Sequence, residues 1–304
     1  MAEYHVPVLL KESVEAMALQ PKGIYVDATL GGGGHTEHIL KSNKKIRLFS
    51  FDQDEDSLIQ TRHLAEKYSN LTIIKNNFAN LRTCLALERI KKIDGILFDL
   101  GVSSHQINQP ERGFSFSLEG KLDMRMDTST KVTAFDIINY FDQYQLKRIF
   151  FEYGEEKEAG KIARAIVQAR KIKHLETTLE LAEIIDKSVF SNKKIKAKAR
   201  IFQALRIYIN GEMEVLKTAL SDAVKMLNPG GRIVVISYHS LEDRIVKNRL
   251  RDLARGEVDQ ITGRPRSETQ VIEVLTKRPV RPGAEEMAFN PRARSGRLRA
   301  ARRI

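Results

Sequence analysis

Four consecutive glycines, Gly31–Gly34, follow a short apolar segment in the stretch VDATLGGGGH at residues 26–35. A turn of this composition lets the backbone approach a ligand more closely than other residues allow. Asp27 ends the apolar segment, and a second acidic residue, Asp52, ends the next one. A carboxylate in the position of Asp52 can accept hydrogen bonds from both hydroxyls of a ribose. The spacing therefore predicts a nucleoside site at the edge of a sheet.

The pattern departs from the dinucleotide fingerprint G-x-G-x-x-G, which directs a pyrophosphate to a helix N-terminus. The last glycine of that fingerprint would fall at residue 36, where the chain has Thr36. A glycine turn and a ribose carboxylate without the phosphate fingerprint favour an adenosine ligand lacking a pyrophosphate, and S-adenosylmethionine is the usual one. A nicotinamide cofactor fits less well, and a plain flexible turn is the alternative.

A third acidic residue, Asp99, ends the apolar run DGILFDL and is followed by Ser103, Ser104 and Gln106. Ligands of open parallel sheets bind at the carboxyl ends of the strands, beside the point where the strand order reverses. We therefore expect Asp99 to lie at the same edge as the glycine turn and Asp52. A helix cap or a turn is the alternative role for such an aspartate.

The first third of the chain alternates short, β-branched or aromatic runs with helical patterns. Runs that are apolar on both faces are typical of parallel strands covered by helices, so a doubly wound α/β sheet is predicted. The predicted strands are 23–29, 46–52, 71–77 and 94–100, and further strands are expected at 228–240 and 270–277. Helices are expected near 35–42, 54–67 and 79–89.

The pattern after about residue 115 is helical throughout. Ala159, Ile162, Ala163 and Ile166 recur at helical spacing, and Thr177 with Glu180 forms a candidate capping box. We therefore expect an all-helical domain inserted between the fourth and fifth strands. The predicted boundaries give a discontinuous sheet domain at 1–112 and 205–304 and a helical, substrate-recognising insert at 113–204.

Composition narrows the class of protein. The 304 residues hold one cysteine, Cys84, which excludes an internal disulfide framework and a cysteine-based zinc site. No metal site is expected. The chain lacks an apolar stretch long enough to cross a bilayer and a secretory layout at its N-terminus, so a cytoplasmic location without membrane contact is expected.

The charge is basic and clustered. The formal net charge is +12. The stretch KSVFSNKKIKAKAR at residues 187–200 and the tail NPRARSGRLRAARRI from residue 290 contain no acidic residue, and the tail holds six arginines. Such segments neutralise phosphates without reading base sequence, so a nucleic acid is the expected partner. A merely solvated basic surface is the alternative.

Several long motifs together resemble the ribosomal RNA small subunit methyltransferase H family, over residues 4 to 300. They are HVPVLLKESV, VDATLGGGGHT, DGILFDLGVSS, ERGFSF, LDMRMD, FQALRIYIN, NPGGRIVVISYHSLEDRIVK and NPRARSGRLR. The resemblance implies a class I methyltransferase sheet interrupted by a helical domain. It further implies transfer of a methyl group from S-adenosylmethionine to N4 of a cytidine in the decoding region of 16S rRNA, with the small ribosomal subunit as partner. Self-association into a homodimer is left open.

The resemblance also assigns a set of cofactor-binding residues, which are Gly33, Gly34, His35, Asp52, Phe78, Asp99 and Gln106. The glycines would let the backbone pass the methionine moiety, Asp52 would bind the ribose, and Phe78 would lie along the adenine. On sequence alone, Phe78 could equally be a core residue and His35 a cap of the following helix.

The amine of cytosine is a poor nucleophile, because its lone pair is delocalised into the ring. An enzyme must hold it in line with the methyl group and accept hydrogen bonds from its N–H groups. Ser237 and His239, in the stretch SYHS, are the catalytic candidates for this role, and His239 could instead start a helix or contact RNA. Phe114, Phe116, Tyr238 and Arg125 are candidate surfaces for a flipped base, with core packing as the alternative for each aromatic. A non-catalytic RNA-binding protein fits the glycine turn with Asp52 and Asp99 less well. A small-molecule methyltransferase fits the basic segments less well.

Overall fold

The computed structural model describes residues 7–257 and 267–304. The chain divides into two compact units, which are treated separately below. The first unit comprises Met1–Gly101 and Met213–Ile304, and the second comprises Val102–Glu212. The predicted insert at 113–204 lies within the second unit, which begins 11 residues earlier and ends 8 residues later.

Local contacts explain why the second unit is longer than the predicted insert. The guanidinium of Arg112 donates to the carbonyls of Arg125 (3.1 Å) and Met126 (3.3 Å), so the segment before residue 113 is held by this unit. At the other end, one continuous helix spans Lys194–Asn210, and a boundary after residue 204 would cut it.

The first unit contains a seven-stranded sheet in the order β3-β2-β1-β4-β5-β7-β6. Its strands are β1 Ile24–Asp27, β2 Arg47–Asp52, β3 Leu71–Lys75, β4 Ile93–Asp99, β5 Leu227–Ser237, β6 Ile272–Val274 and β7 Arg297–Arg303. Strands β1 to β5 are mutually parallel, and β7 pairs antiparallel with both β5 and β6. The order reverses beside β1, where β4 joins it. The predicted α/β fold is confirmed.

The helices of the described residues carry the connections between these strands and form the second unit. In chain order they are α1 Leu10–Met17, α2 Gly34–Ser42, α3 Glu55–Lys67, α4 Leu81–Leu87, α5 Ser104–Asn108, α6 Ala134–Tyr140, α7 Gln143–Glu152, α8 Ala159–Arg170, α9 Thr178–Ser188, α10 Lys194–Asn210, α11 Glu212–Met226, α12 Ser240–Arg255 and α13 Ala284–Phe289. Within the described ranges, none of them combines the length and the apolar character needed to cross a bilayer.

Both faces of the sheet are buried, which explains the continuous apolar runs of its central strands. Successive residues of β4 enter opposite layers: Ile96 and Phe98 pack in one core cluster and Leu97 in the other. Val234 and Val235 of β5 divide in the same way. This alternation is the period of two that a strand imposes on its side chains. Alternate residues of each strand therefore pack against the helices on opposite faces of the sheet.

The second unit has a core of its own, built by helices α6 to α10. The predicted apolar face of α8 is confirmed, since Ala159, Ile162, Ala163 and Ile166 are all buried. The capping box that was predicted at Thr177 is also present. The Thr177 hydroxyl accepts from the backbone N–H of Glu180 (3.2 Å), and the Glu180 carboxylate accepts from that of Thr177 (3.0 Å).

The strand β7 is not apparent from the sequence, because the arginines of this segment favour a solvated tail. The strand forms because Leu298, Ala300 and Ala301 are small or apolar and enter the core. Arg299 is buried between them, and its guanidinium is neutralised by Asp243, with Nε 2.6 Å from Oδ1. Residues 297–303 thus form a strand of the sheet, and phosphate binding by their arginines stays a prediction.

Candidate functional site

The glycine turn connects β1 to α2 at the carboxyl edge of the sheet. Gly31 and Gly33 have left-handed backbones, with φ of +50° and +79°. A Cβ on Gly33 would lie 2.5 Å from Cδ1 of Leu64, and one on Gly34 would lie 2.2 Å from Cγ of Pro7. Two of the four glycines are thus required by the packing of the turn against the protein itself, in addition to any ligand.

Asp52 joins the glycine turn to the end of β2. Its Oδ2 accepts from the backbone N–H of Gly31 (2.8 Å), and its Oδ1 accepts from that of Asp54 (2.9 Å). Burial raises the pKa of the Asp52 carboxyl to about 6, although the two backbone bonds oppose this rise. With a further bond from the Ser57 side chain, three of the roughly four acceptor positions of the carboxylate are used within the protein, and the ionised form can still accept from a ligand hydroxyl.

Asp99 ends β4 and lies in a buried polar cluster at the same edge. The Tyr238 hydroxyl donates to its Oδ1 (2.7 Å), and Nδ1 of His35 lies 3.4 Å from its Oδ2. The backbone N–H of Asp99 donates to the Thr29 hydroxyl (2.7 Å), which ties the end of β4 to the turn after β1. Burial raises the pKa of Asp99 to about 7, against the lowering effect of the Tyr238 bond.

His35 lies in the first turn of α2 and is only 4% exposed. Burial lowers its pKa, so the ring is neutral at pH 7. Its Nε2 is buried and has no hydrogen-bond partner in the part of the chain that the structure describes. A buried polar atom without a partner costs free energy, and the carboxylates of Asp52 and Asp99 beside the glycine turn are acceptors for hydroxyl and ammonium groups of a ligand. The residues present therefore fit a polar cofactor here.

Phe78 begins a short 3-10 helix, Phe78–Asn80, directly after β3. Its ring packs edge-on against Phe98, with the ring centroids 5.6 Å apart. The side chain is partly buried against the core of the first unit. Both roles considered for Phe78 are therefore compatible with its position, since one edge contacts the core and the ring keeps some exposed surface.

Gln106 belongs to the second unit. It completes a capping box at the start of α5, in which Oε1 accepts from the backbone N–H of Ser103 (2.9 Å). The Ser103 hydroxyl accepts in return from the backbone N–H of Gln106 (3.2 Å). The Gln106 side chain is only 5% exposed, and these two bonds give it a role in starting α5.

The two catalytic candidates, Ser237 and His239, lie at the end of β5 and have partners within the protein. Ser237 is 1% exposed and donates to the carbonyl of Arg297 (3.4 Å) on β7. Nδ1 of His239 accepts from the backbone N–H of Glu242 (3.4 Å), and its Nε2 lies 3.1 Å from a Glu242 carboxylate oxygen. The structure thus places the serine in the sheet and uses the histidine to cap α12.

Glu242 fixes this loop and was not singled out from the sequence. Its Oε2 accepts from the backbone N–H groups of Tyr238 (2.8 Å) and His239 (3.3 Å). The sequence signal was available, because a glutamate three residues after the capping residue is the second half of a capping box. By holding Tyr238, Glu242 also orients the hydroxyl that bonds to Asp99.

The four candidate base-binding side chains are mostly engaged. Phe114 is buried, and Phe116 packs edge-on against Phe202 with centroids 5.7 Å apart. Arg125 chelates the Asp123 carboxylate through Nε (2.8 Å) and Nη2 (2.7 Å). Tyr238 is committed to Asp99, as described above. Burial makes Phe114 a core residue, whereas Phe116, Arg125 and Tyr238 keep partial exposure, so a base-binding role for these three stays a prediction.

The basic tail is likewise paired with the protein. Arg297 and Arg299 both contact Asp243, at 3.4 Å and 2.6 Å. Arg302 pairs with Glu273, and Arg303 donates to the carbonyl of Val271 (2.6 Å). These contacts hold β6, β7 and α12 together. The arginines of β7 therefore serve the fold of the first unit.

The fold and this edge define the class of protein. A doubly wound sheet with an antiparallel seventh strand, carrying a glycine turn and acidic strand ends without a pyrophosphate fingerprint, is that of a Rossmann-like, S-adenosylmethionine-dependent methyltransferase. More particularly, the chain belongs to the MraW methylase family, whose family model matches residues 2–304.

Curated relatives are similar over the whole length. The chain is 46% identical over 310 aligned residues to the ribosomal RNA small subunit methyltransferase H of Halothermothrix orenii, covering 99% of this chain and 98% of that protein. It is 42% identical to the protein of the same name from Fusobacterium nucleatum, with the same coverage of 99% and 98%. A solved rRNA methylase from Streptococcus thermophilus aligns over 100% of this chain and 99% of that chain, at 13% identity and a TM-score of 0.45, which is too low to carry an argument.

Proposed function

We propose that this protein transfers the methyl group of S-adenosylmethionine to N4 of a cytidine in 16S rRNA. The observation that carries the proposal is the full-length match to relatives named as rRNA small subunit methyltransferase H. The small ribosomal subunit is the proposed partner and the cytoplasm the proposed location. Self-association into a homodimer is a further proposal, to be tested by sedimentation of the purified protein.

The cofactor site of this proposal lies at the carboxyl edge of the sheet in the first unit. S-adenosylmethionine, when bound, supplies an electrophilic methyl group on a sulfonium sulfur. Asp52 would accept from the ribose hydroxyls and Phe78 would lie along the adenine. Gly33, Gly34, His35 and Asp99 would surround the methionine moiety.

The remaining task of the protein is to make the cytidine amine nucleophilic. Residues at this site would hold the amine in line with the methyl group of the bound cofactor, accept hydrogen bonds from its N–H groups and receive the proton that it loses on methylation. Acceptors that bind the amine N–H groups favour this change because they stabilise charge that develops in the transition state. We assign these acceptors to the loop that follows Asp99 or to the stretch SYHS with Ser237 and His239.

The test of the function is transfer of labelled methyl groups to small ribosomal subunits. Subunits from a strain that lacks this protein are the substrate, and subunits from the parent strain, which already carry the modification, are the matched control. Nucleoside analysis should find the label on N4 of cytidine. A label on C5 or on ribose would overturn the reaction, and equal labelling of both kinds of subunit would overturn the specificity.

The assignment of the acceptors needs a kinetic test. Ser237→Ala and His239→Ala should lower the single-turnover rate at saturating cofactor and RNA and change RNA affinity little, because the lost contacts form chiefly in the transition state. His239→Asn is the matched control, since asparagine also caps a helix and so separates a capping role from a chemical one. Rates equal to wild type in both alanine variants would remove these residues from the mechanism.

A further inference from the structure

Among the exposed aromatic rings of the second unit, Phe190 is the one that lies beside lysine ammonium groups. Phe190 lies between α9 and α10, where it precedes a short 3-10 helix, Ser191–Lys193, and it is 71% exposed. The backbone N–H of Lys193 donates to the carbonyl of Phe190 (2.9 Å), so this turn has a defined geometry. Leaving a phenylalanine in water forgoes the gain of about 1.5–3 kcal/mol that burial would give. Single exposed apolar side chains are common on protein surfaces, so what distinguishes this ring is the charge beside it.

Two ammonium groups from different elements lie near this ring. Nζ of Lys161, on α8, is 5.7 Å from the ring centroid, and Nζ of Lys193 is 5.8 Å from it. Both distances fall in the range of cation–π contacts. The two lysines are 32 positions apart in the sequence, so the fold itself brings positive charge to both sides of the turn that carries Phe190.

The basic stretch 187–200 divides into paired and unpaired charges. Lys187 pairs with Glu183 (2.6 Å), and Lys198 pairs with Asp186 (2.8 Å). Lys193 and Lys194, by contrast, form no ion pair within the ranges 7–257 and 267–304. Lys194 also begins α10, where a positive charge opposes the helix dipole and so does not stabilise the helix. Neither folding nor pairing therefore accounts for these two charges.

We propose that Phe190 with Lys161, Lys193 and Lys194, called here the Phe190 platform, binds single-stranded RNA. A base stacks on the ring, and the lysines neutralise the phosphates on either side of it. This proposal rests on the proposed function, because it assigns a contact surface for the RNA substrate.

Charge complementarity favours RNA as the occupant. The platform offers two ammonium groups over one flat ring and a third lysine at the next position, with no acidic partner to them among the described residues, on a chain with a net charge of +12. Alternating phosphates and planar bases match this arrangement, and stacking on an aromatic side chain tolerates any base. An apolar protein partner would instead require a wider apolar surface free of charge.

The chain contains no tryptophan, so Phe190→Trp creates a single fluorescent probe at the platform. Adding a short single-stranded oligoribonucleotide should quench this fluorescence through stacking. Phe151→Trp is the matched control, since Phe151 is 63% exposed on α7 and has no cation over its ring among the described residues. Inorganic polyphosphate, which has charge but no bases, should compete with the RNA without producing the same quenching.

Affinity measurements test the same surface without a probe. Phe190→Ala should weaken binding of the oligoribonucleotide by about 10-fold or more, while Phe151→Ala leaves it unchanged. Lys193→Gln should reduce the slope of log K against log salt by about 0.7, the value for one phosphate contact on a single strand. Lys187→Gln removes the same charge from a paired lysine and should reduce that slope by less.

The outcomes separate this inference from the proposed function. Methyl transfer by the wild-type protein reports on the function, whatever the Phe190 variants do. Equal RNA affinity of wild type and Phe190→Ala would overturn the platform. So would equal quenching of Phe190→Trp by polyphosphate and by RNA, because the ring would then sense charge alone. Cofactor affinity should be unchanged in every platform variant.

Discussion

Asp52 offers the sharpest test of the cofactor site, because its predicted effect depends on pH. Its carboxylate accepts two backbone bonds and, in the proposed complex, the ribose hydroxyls of the cofactor. Only the ionised form offers all its lone pairs, and burial raises its pKa to about 6. Cofactor binding should therefore release a proton below pH 6, and affinity should rise with pH until Asp52 is ionised.

The size of the expected loss of cofactor affinity at each pH follows from the pKa of Asp52. At pH 8 the carboxylate is fully ionised, and Asp52→Asn should weaken cofactor binding by about 1–3 kcal/mol, the scale of lost bonds to a charged group. At pH 5 only about one tenth of the wild-type carboxyl is ionised, so the ratio of the two dissociation constants should shrink by about 10-fold. Asp99, with its own raised pKa, is present in both proteins and cancels in this ratio.

Calorimetry of S-adenosylmethionine binding at several pH values measures this ratio directly. Glu55→Gln is the matched control, because Glu55 is an exposed carboxylate nearby whose partner is Lys75 (3.0 Å). A ratio that stays constant between pH 5 and 8 would refute the titration of Asp52. A ratio near one at every pH would remove Asp52 from the cofactor site.

Three further predictions concern the sheet edge and β7. Gly33→Ala should weaken cofactor binding by about 10-fold or more in calorimetry, because its Cβ would meet Leu64 at 2.5 Å in a left-handed backbone. In the unliganded protein, the raised pKa of Asp99 means that the folded state holds the extra proton, so the melting temperature should fall as pH rises from about 4 towards 7, and Asp99→Asn should flatten that fall. Asp243→Ala should lower the free energy of unfolding by about 3–5 kcal/mol in urea, because it strands the buried guanidinium of Arg299, and adding Arg299→Leu should recover part of the loss.

Much of the sheet could be predicted because its strands are buried on both faces. Continuous apolar runs and an acidic residue at the strand end identified β1, β2 and β4, and the structure places those ends at one edge. The strand β7 could not be found this way, because its stability depends on an ion pair to Asp243, 56 residues away in the sequence.

The residue types of the site could be predicted from the sequence, whereas the packing and hydrogen-bond partners of these residues could not. Glycines and carboxylates could be located from their spacing, but packing partners such as Leu64 are brought to the turn only by the fold. The same holds for Tyr238. The sequence offers its ring as a stacking surface, and the structure shows that its hydroxyl bonds to Asp99. Sequence patterns report which face of an element is apolar, whereas hydrogen bonds between distant elements depend on their final geometry.

Net charge alone does not locate a surface for RNA, because arginines can serve either the fold or a ligand. The distinction lies in their partners. The β7 arginines are bound to Asp243, Glu273 and a backbone carbonyl, so neutralising them should lower stability and change the salt dependence of RNA binding little. Lys193 and Lys194 have no such partners in the part of the chain that the structure describes, so neutralising them should have the opposite effect. Unfolding and RNA-binding measurements on both sets of variants would therefore divide the charge of +12 into a structural part and a functional part.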